Sequence, residues 1–461
     1  VGGVCGCNSS DGTIKNSYYN NSISNKTVGS NNGGTFDITG KTSEQFESGE
    51  VAFSLSGIYG QEINKDKSPV LNGKTVYKNK ICSGCCEKYQ GNITYVYSNA
   101  EANPVYSEHQ YKNGICTICG DAESTEPIEK DGYYQIENAT HLYWFAHQVN
   151  SGNTGINGVL TKNIVINENI LNVDGTLNSN LTNLNEWTPI GNSSKQYTGT
   201  FDGKNHTISG LYFNNENTEN ENTEYVGLFG WNSGTIKNIG VIDSYFKGKN
   251  NVGGVCGYNR DDGTIENSYN TGSVSGSGGY VGGVCGNNYY GTTKNSYNTG
   301  SVNGTNNVGG VCGYSYRGTI ENSYNTGSVS GADNSVGGVC GMNKGSLTNS
   351  YNTGSVSGLS IVGGVCGFNS STIEYSYNTG SVSGSDKVGS VCGINNYGKI
   401  ETSYYNSSIS NKDVGSNYGT ITDVFGKTSE QFASGEVTYL LQEKQEIWGQ
   451  EIGKDNSPVL N

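Results

Sequence analysis

One block returns between Val252 and Gly393: V-G-G-V-C-G, a turn, then G-T-I-x-N-S-Y-N-T-G-S-V-S-G. Its cysteines are Cys256, Cys285, Cys312, Cys340, Cys366 and Cys392, separated by 29, 27, 28, 26 and 26 residues. A degenerate earlier copy, Tyr225 to Gly230, carries Phe229 where the others carry cysteine. Such periods mean solenoids, propellers or arrays, and a propeller blade needs a longer unit of about 40–45 residues. Each period holds three β-prone patches, centred in one copy on Val255, Ile265 and Val274, with Gly, Asn and Ser between them. A unit this small cannot hide its own apolar face, whereas stacked copies hide it for one another. The expected fold is all-β: a three-sided, right-handed parallel β-solenoid, one repeat of 26–29 residues per coil. The hand follows from the crossover preference of parallel strands.

Composition agrees with a thin, repeated core. Glycine supplies 70 of the 461 residues, charged residues only 15% and apolar residues 33%. Five prolines and no every-third glycine exclude collagen. A net charge of −14 argues against a nucleic-acid partner, which needs a basic face. No run approaches 18 apolar residues, so no helical membrane insertion is expected. The chain opens at Val1 without methionine or leader, and reads as a mature product or a piece of something longer.

Facing is partly legible. Glu266 is replaced in other copies by Lys294, Thr348 or Glu374, so that position faces water. Ile265, with Leu347 and Ile373 in the same slot, then faces inward. Val255 and Cys256 are adjacent and both apolar, which predicts a bulge or corner there.

A larger repeat overlies the small one, for residues 1–72 match 388–461. The resulting division is 1–72, last coil and end cap of a preceding array; 73–130, a small Cys-rich linker domain; 131–224, a helical cap and lead-in coils; 225–410, the repeats; and 411–461, a C-terminal end cap. Thr428-Ser429-Glu430-Gln431 fits a capping box, predicting a short helix over the last coil. Asn138 is placed to cap a helix from about Ala139 to Val149, with Leu142, Phe145, Ala146 and Val149 as its apolar stripe.

The recurrent block resembles the GLUG repeat of bacterial surface proteins, over residues 1–30 and roughly 195–410. Tyr197 to Leu211 is similar to the first coils that precede such repeats. The resemblance implies a large secreted or wall-attached, adhesin-like protein; some relatives sit beside protease domains. That family usually has valine where this chain has cysteine.

Catalytic signals are scarce. None of His109, His141, His147 and His206 lies in H-E-x-x-H, and the recurring G-S-V-S-G has valine where a nucleophile would stand. No enzymatic activity is expected. Tyr269, Tyr297, Tyr324, Tyr351 and Tyr377 form an aromatic ladder that either locks the coil register or offers a glycan surface. Asn267, Asn295, Asn322 and Asn349 read as an asparagine ladder. The six repeat cysteines read as a buried, mainly reduced thiol ladder. In the linker, Cys82, Cys85, Cys116 and Cys119 form two C-x-x-C knuckles suited to structural zinc, with His109 as an alternative ligand. In an oxidising setting the same cysteines suit disulfides, with Cys86 left odd. The functional expectation is an extracellular, surface-exposed or secreted stalk or fibre segment, touching other copies or modules end to end. The alternatives are a carbohydrate-binding module for host or matrix glycan, and an accessory domain of a secreted enzyme.

Overall fold

The computed structural model describes every residue except 1, 56, 86–90, 113–114, 117–122, 183, 216–223 and 444–445. The chain is nearly all β and forms two compact units, Val1–Glu123 and Ser124–Asn461. The Cys-rich region thus folds largely with residues 1–72 rather than as a separate linker, and its last residues belong to the second unit.

In the second unit the coils stack in parallel and in register. Tyr134, Gly158, Phe201, Ile236, Ile265, Thr293, Ile320, Leu347, Ile373, Ile400 and Ile421 pair one to the next. The flanking residues Thr264 and Glu266 are half-exposed and Ile265 is buried, as the alternation predicts. A second column runs Phe229, Cys256, Cys285, Cys312, Cys340, Cys366, Cys392, Val414. Phe229 therefore does occupy the cysteine slot. The predicted corner is real: the N–H groups of Val255 and Cys256 both donate to the Val284 carbonyl, each at 3.0 Å, and the next coil repeats this at Val311. The glycines before it have no room for a side chain. A Cβ on Gly282 would lie 2.0 Å from the Cys285 carbonyl oxygen, and one on Gly283 would lie 2.2 Å from that of Gly310.

The coil is more finely divided than three patches suggest. Between Val252 and Gly282 the strands are Val252–Gly253, Cys256–Arg260, Thr264–Glu266, Tyr269–Asn270 and the long Ser273–Gly282. A residue with positive φ stands before the Tyr-Asn pair: Asn267, Asn295, Asn322 and Asn349 all have φ 49°. Asparagine tolerates this left-handed corner better than other side-chain-bearing residues.

The stack runs past the recognisable repeats at both ends. It starts at Tyr133–Ile136, against which Glu129–Lys130 lies antiparallel. The helix Ala139–Ser151 follows, capped as expected by the Asn138 side chain, which accepts from the His141 N–H at 3.0 Å. Its Leu142, Phe145, Ala146 and Val149 are buried in the array's core. At the other end Val414–Asn417 and Thr420–Lys427 make one more coil, so the end piece begins at Thr428 rather than at 411.

That end piece corrects a second expectation. Thr428 forms the full capping box, but two short helices follow, Ser429–Ala433 and Glu436–Gln442, and then a hairpin pairing Trp448–Gly449 with Val459–Leu460. Among the described residues no strand of this piece pairs with the last coil. Phe432, Val437, Leu441 and Trp448 pack sideways on Tyr351, Tyr377 and Tyr404, because that tyrosine edge is the apolar surface available to them.

In the first unit Cys5–Asn8 pairs with Val28–Asn31, and Thr13–Asn20 with Thr35–Lys41. The same end piece follows, with a capping box at Thr42. Gln61 donates to the carbonyls of Phe46, Glu47 and Asp66, as Gln450 does to those of Phe432, Ala433 and Asp455. Tyr59 holds the hairpin position of Trp448 yet is 39% exposed, whereas Trp448 is fully buried.

Candidate functional site

The tyrosine face is a regular side-chain array. Each ring belongs to a two-residue strand, Tyr269–Asn270 and its successors, so identical side chains recur at one register position. Ring centroids from Tyr269 to Tyr377 are 4.7, 4.8, 4.7 and 4.9 Å apart, with interplanar angles of 2°, 5°, 4° and 2°. The spacing is that of neighbouring strands, so the backbone sets it. Each inner ring has its faces occupied by its neighbours, and the column turns ring edges outward. Burial pushes the Tyr324 phenol up to about 12. At the covered end Tyr377 is fully buried and donates its hydroxyl hydrogen to the Pro458 carbonyl.

Beside the uncovered rings lies a groove of 310 Å³, lined by Asn267, Asn295, Tyr297, Asn322 and Tyr324 on the coils and by Ile447, Leu460 and Asn461 of the end piece.

The asparagines divide into two kinds. The predicted set is joined only in places: Asn267 Nδ2 donates to Asn238 Oδ1 at 3.1 Å, and Asn322 Nδ2 to Asn295 Oδ1 at 3.0 Å. Their principal work is the left-handed corner. A continuous ladder lies three residues on. Asn270, Asn298, Asn325, Asn352 and Asn378 are buried, and each Nδ2 donates to the next Oδ1 at 2.8–2.9 Å. A further buried ladder joins Asn232, Asn259 and Asn288, stops at Ser315, and resumes through Asn343, Asn369 and Asn395 to end on the exposed Asn417. Between the corner and the tyrosine, Ser268, Ser296, Ser323, Ser350 and Ser376 each donate to a carbonyl two residues back, and the last four each accept the N–H of the matching serine in the coil before. The sequence signals for the ladders are the second Asn of N-S-Y-N for the first and the Asn three residues after the repeat cysteine, as in Cys256 and Asn259, for the second.

All six repeat cysteines are fully buried, and no disulfide joins them. Several donate weakly to the carbonyl two residues on, as Cys312 does to Tyr314 at 3.1 Å and Cys392 to Ile394 at 3.1 Å. Burial disfavours the thiolate throughout the column, and it holds the Cys256 thiol well above its usual range.

In the first unit the structure brings together Cys85, His109 and Cys116, whose ligand atoms all lie within 4.8 Å of one another. Cys82 is buried but stands outside this triad. Cys119 and Cys86 lie outside the described residues. No helix among the described residues is long and apolar enough to cross a membrane.

Residues 248–275 and 304–330 match the GLUG motif, so these two coils are GLUG repeats. Over 121 residues, 25% of this chain, it is 31% identical to Halomucin of Haloquadratum walsbyi (strain DSM 16790 / HBSQ001), of whose length the match spans 1%. A solved structure named "putative immunoglobulin A1 protease", from Bacteroides ovatus, is similar at 22% identity and a TM-score of 0.46, covering 71% of this chain and 92% of that one.

Proposed function

We propose that this chain is a structural segment of an extracellular bacterial surface protein, a tandem β-solenoid stalk or fibre without catalysis of its own. One observation carries the reading. The side chains that the sequence repeats most faithfully (the Asn270, Ser268 and Tyr269 columns) spend their hydrogen bonds and ring faces on the next coil. Such a surface is spent on cohesion, and stability then accumulates coil by coil through nearest-neighbour contacts. The GLUG match supports the reading. A sugar that stacks on an aromatic needs a free ring face, and the inner rings of this ladder present edges, which disfavours the glycan-binding alternative.

Antibodies against residues 225–410, applied to intact unpermeabilised cells of the source organism, are expected to label the surface or the secreted matrix. Signal found only after permeabilisation would contradict the proposal. A glycan array is expected to give no binding that depends on Tyr297 or Tyr324; binding lost on their replacement by alanine would favour the rival reading.

A further inference from the structure

We infer that Cys85, His109 and Cys116 supply three of the four ligands of a zinc ion that staples the first unit. The sulfurs of Cys85 and Cys116 lie 3.6 Å apart. A disulfide needs about 2.0 Å. Two thiolates at about 2.3 Å from a tetrahedral zinc stand about 3.8 Å from each other. The observed spacing, at which the two thiols share a hydrogen bond, excludes a disulfide and matches that of co-ligands. A ring nitrogen of His109 lies within 4.8 Å of both sulfurs, which places a third donor around the same point. Cys85 and Cys116 are 6% and 1% exposed, so the two sulfurs lie inside the unit, with His109 half-buried beside them. Soft thiolates with an imidazole select zinc over the hard cations that oxygen ligands favour.

The backbone is arranged to bring these donors together. Tyr77–Cys82 and Ile93–Ser98 form a hairpin. Ser83 closes its Cys85 end, with the Ser83 N–H donating to the Asn92 carbonyl at 3.0 Å and its Oγ accepting from the Asn92 N–H at 2.8 Å. The segment leading to His109 is then tied to that turn. Ser107 N–H donates to the Gly84 carbonyl, and Ser107 Oγ to the Ser83 carbonyl, each at 3.0 Å. Cys116 arrives on the short hairpin Tyr111–Lys112 with Ile115–Cys116.

A separate observation shows why a staple is needed. The apolar residues of this region lie largely outside any core: Ile81, Ile93, Tyr95, Val96 and Val105 are all exposed. Small modules with so little burial depend on a metal or disulfides for their order. Binding replaces two S–H bonds by two Zn–S bonds and releases the two thiol protons to solvent. No electron is transferred, so no oxidant is required.

The test uses the full chain, purified under reducing conditions and supplied with zinc. Elemental analysis should give one zinc per chain, and X-ray absorption should show sulfur at about 2.3 Å and nitrogen at about 2.0 Å. Cobalt substitution should produce a thiolate-to-cobalt charge-transfer band. Cys85→Ser, Cys116→Ser and His109→Ala should each lose the metal. Cys82→Ser should keep it, because Cys82 stands outside the triad. The absorption and cobalt spectra of the unmutated chain stand even where a variant misfolds. A chain that takes up no zinc, a mass-mapped bridge between Cys85 and Cys116, or a Cys82→Ser variant that loses zinc as fully as Cys85→Ser would overturn the assignment.

Discussion

Trp448 lies with its ring centroid 5.6 Å from that of Tyr377, inclined at 53°, so the end piece is anchored on a tyrosine belonging to a coil well inside the array. Trp448 also reaches Tyr351 at 6.0 Å, and Phe432 reaches Tyr377 at 5.6 Å. The contact is lateral and leaves the outer edge of the last coil without a pairing strand among the described residues.

Trp448→Ala should therefore release the end piece and spare the coils. Deleting a buried tryptophan costs about 3–5 kcal/mol. Hydrogen exchange should speed up over residues 428–461 while amides of the Cys312 and Ile320 coil stay protected. Uniform deprotection of the array would contradict the lateral anchoring.

The two kinds of asparagine should respond differently to glycine. Asn325→Gly removes bonds to Asn298, Asn352 and the Gly327 carbonyl within a buried ladder. An unsatisfied buried partner costs about 1–3 kcal/mol, and the denaturation midpoint should fall accordingly. Asn322→Gly keeps the left-handed corner that glycine adopts freely, so its loss should be smaller. Equal losses would show that the corner and ladder roles are not distinct.

At Cys312, valine should cost less than about 1.5 kcal/mol, since it fills a fully buried apolar slot that Val414 already fills in another coil. Aspartate should prevent folding of the local coils, because an unpaired charge there has no partner. Native-state alkylation should leave the six repeat thiols unmodified until denaturant is added; rapid labelling of Cys312 in the native state would contradict its burial.

Asp202 supplies a pH signature. It is 5% exposed, stands 3.3 Å from Lys204 Nζ and 3.6 Å from Lys237 Nζ, and accepts from Asn238 Nδ2 and the Lys204 N–H, each at 2.9 Å. Burial acts to raise its pKa, but the hydrogen bonds and lysines outweigh it and hold the carboxyl below its usual value. A depressed folded-state pKa gives stability that is present above the unfolded value of about 3.9 and lost as pH falls through the folded one. Asp202→Asn should thus be less stable than the parent near neutral pH, with the difference shrinking below about pH 4. Melting curves from pH 7 to pH 2 that run parallel would count against this role.

The repeat period made the solenoid legible, and substitution at Glu266 made its facing legible. The corner at Val255 and Cys256 followed from two adjacent apolar residues that one strand cannot both bury. The ladder of Asn270 was missed because Asn267 and Asn270 share one short motif. The left-handed residue between strands resets the alternation, so strand phase could not be carried across it. The last coil was hidden for another reason. From Cys392 to Val414 is 22 residues, because that turn lacks the arm corresponding to Ser273–Gly282, and the repeat signature lapses with it. In the Cys-rich region spacing suggested four cysteines with His109 as an alternative ligand, and tertiary placement set Cys82 apart and put His109 beside Cys85 and Cys116.

The central claim is that coils stack one above another in strict register. Spin labels at Glu266 and its column mates test it most directly, because Glu266, Lys294, Glu321, Thr348, Glu374 and Glu401 pair in succession. Labels carried on non-canonical residues at 266 and 374 should report a backbone separation of about 19 Å, and at 266 and 401 about 24 Å, an increment of about 4.8 Å per coil. Distances that fail to grow by one strand spacing per added coil would contradict the account.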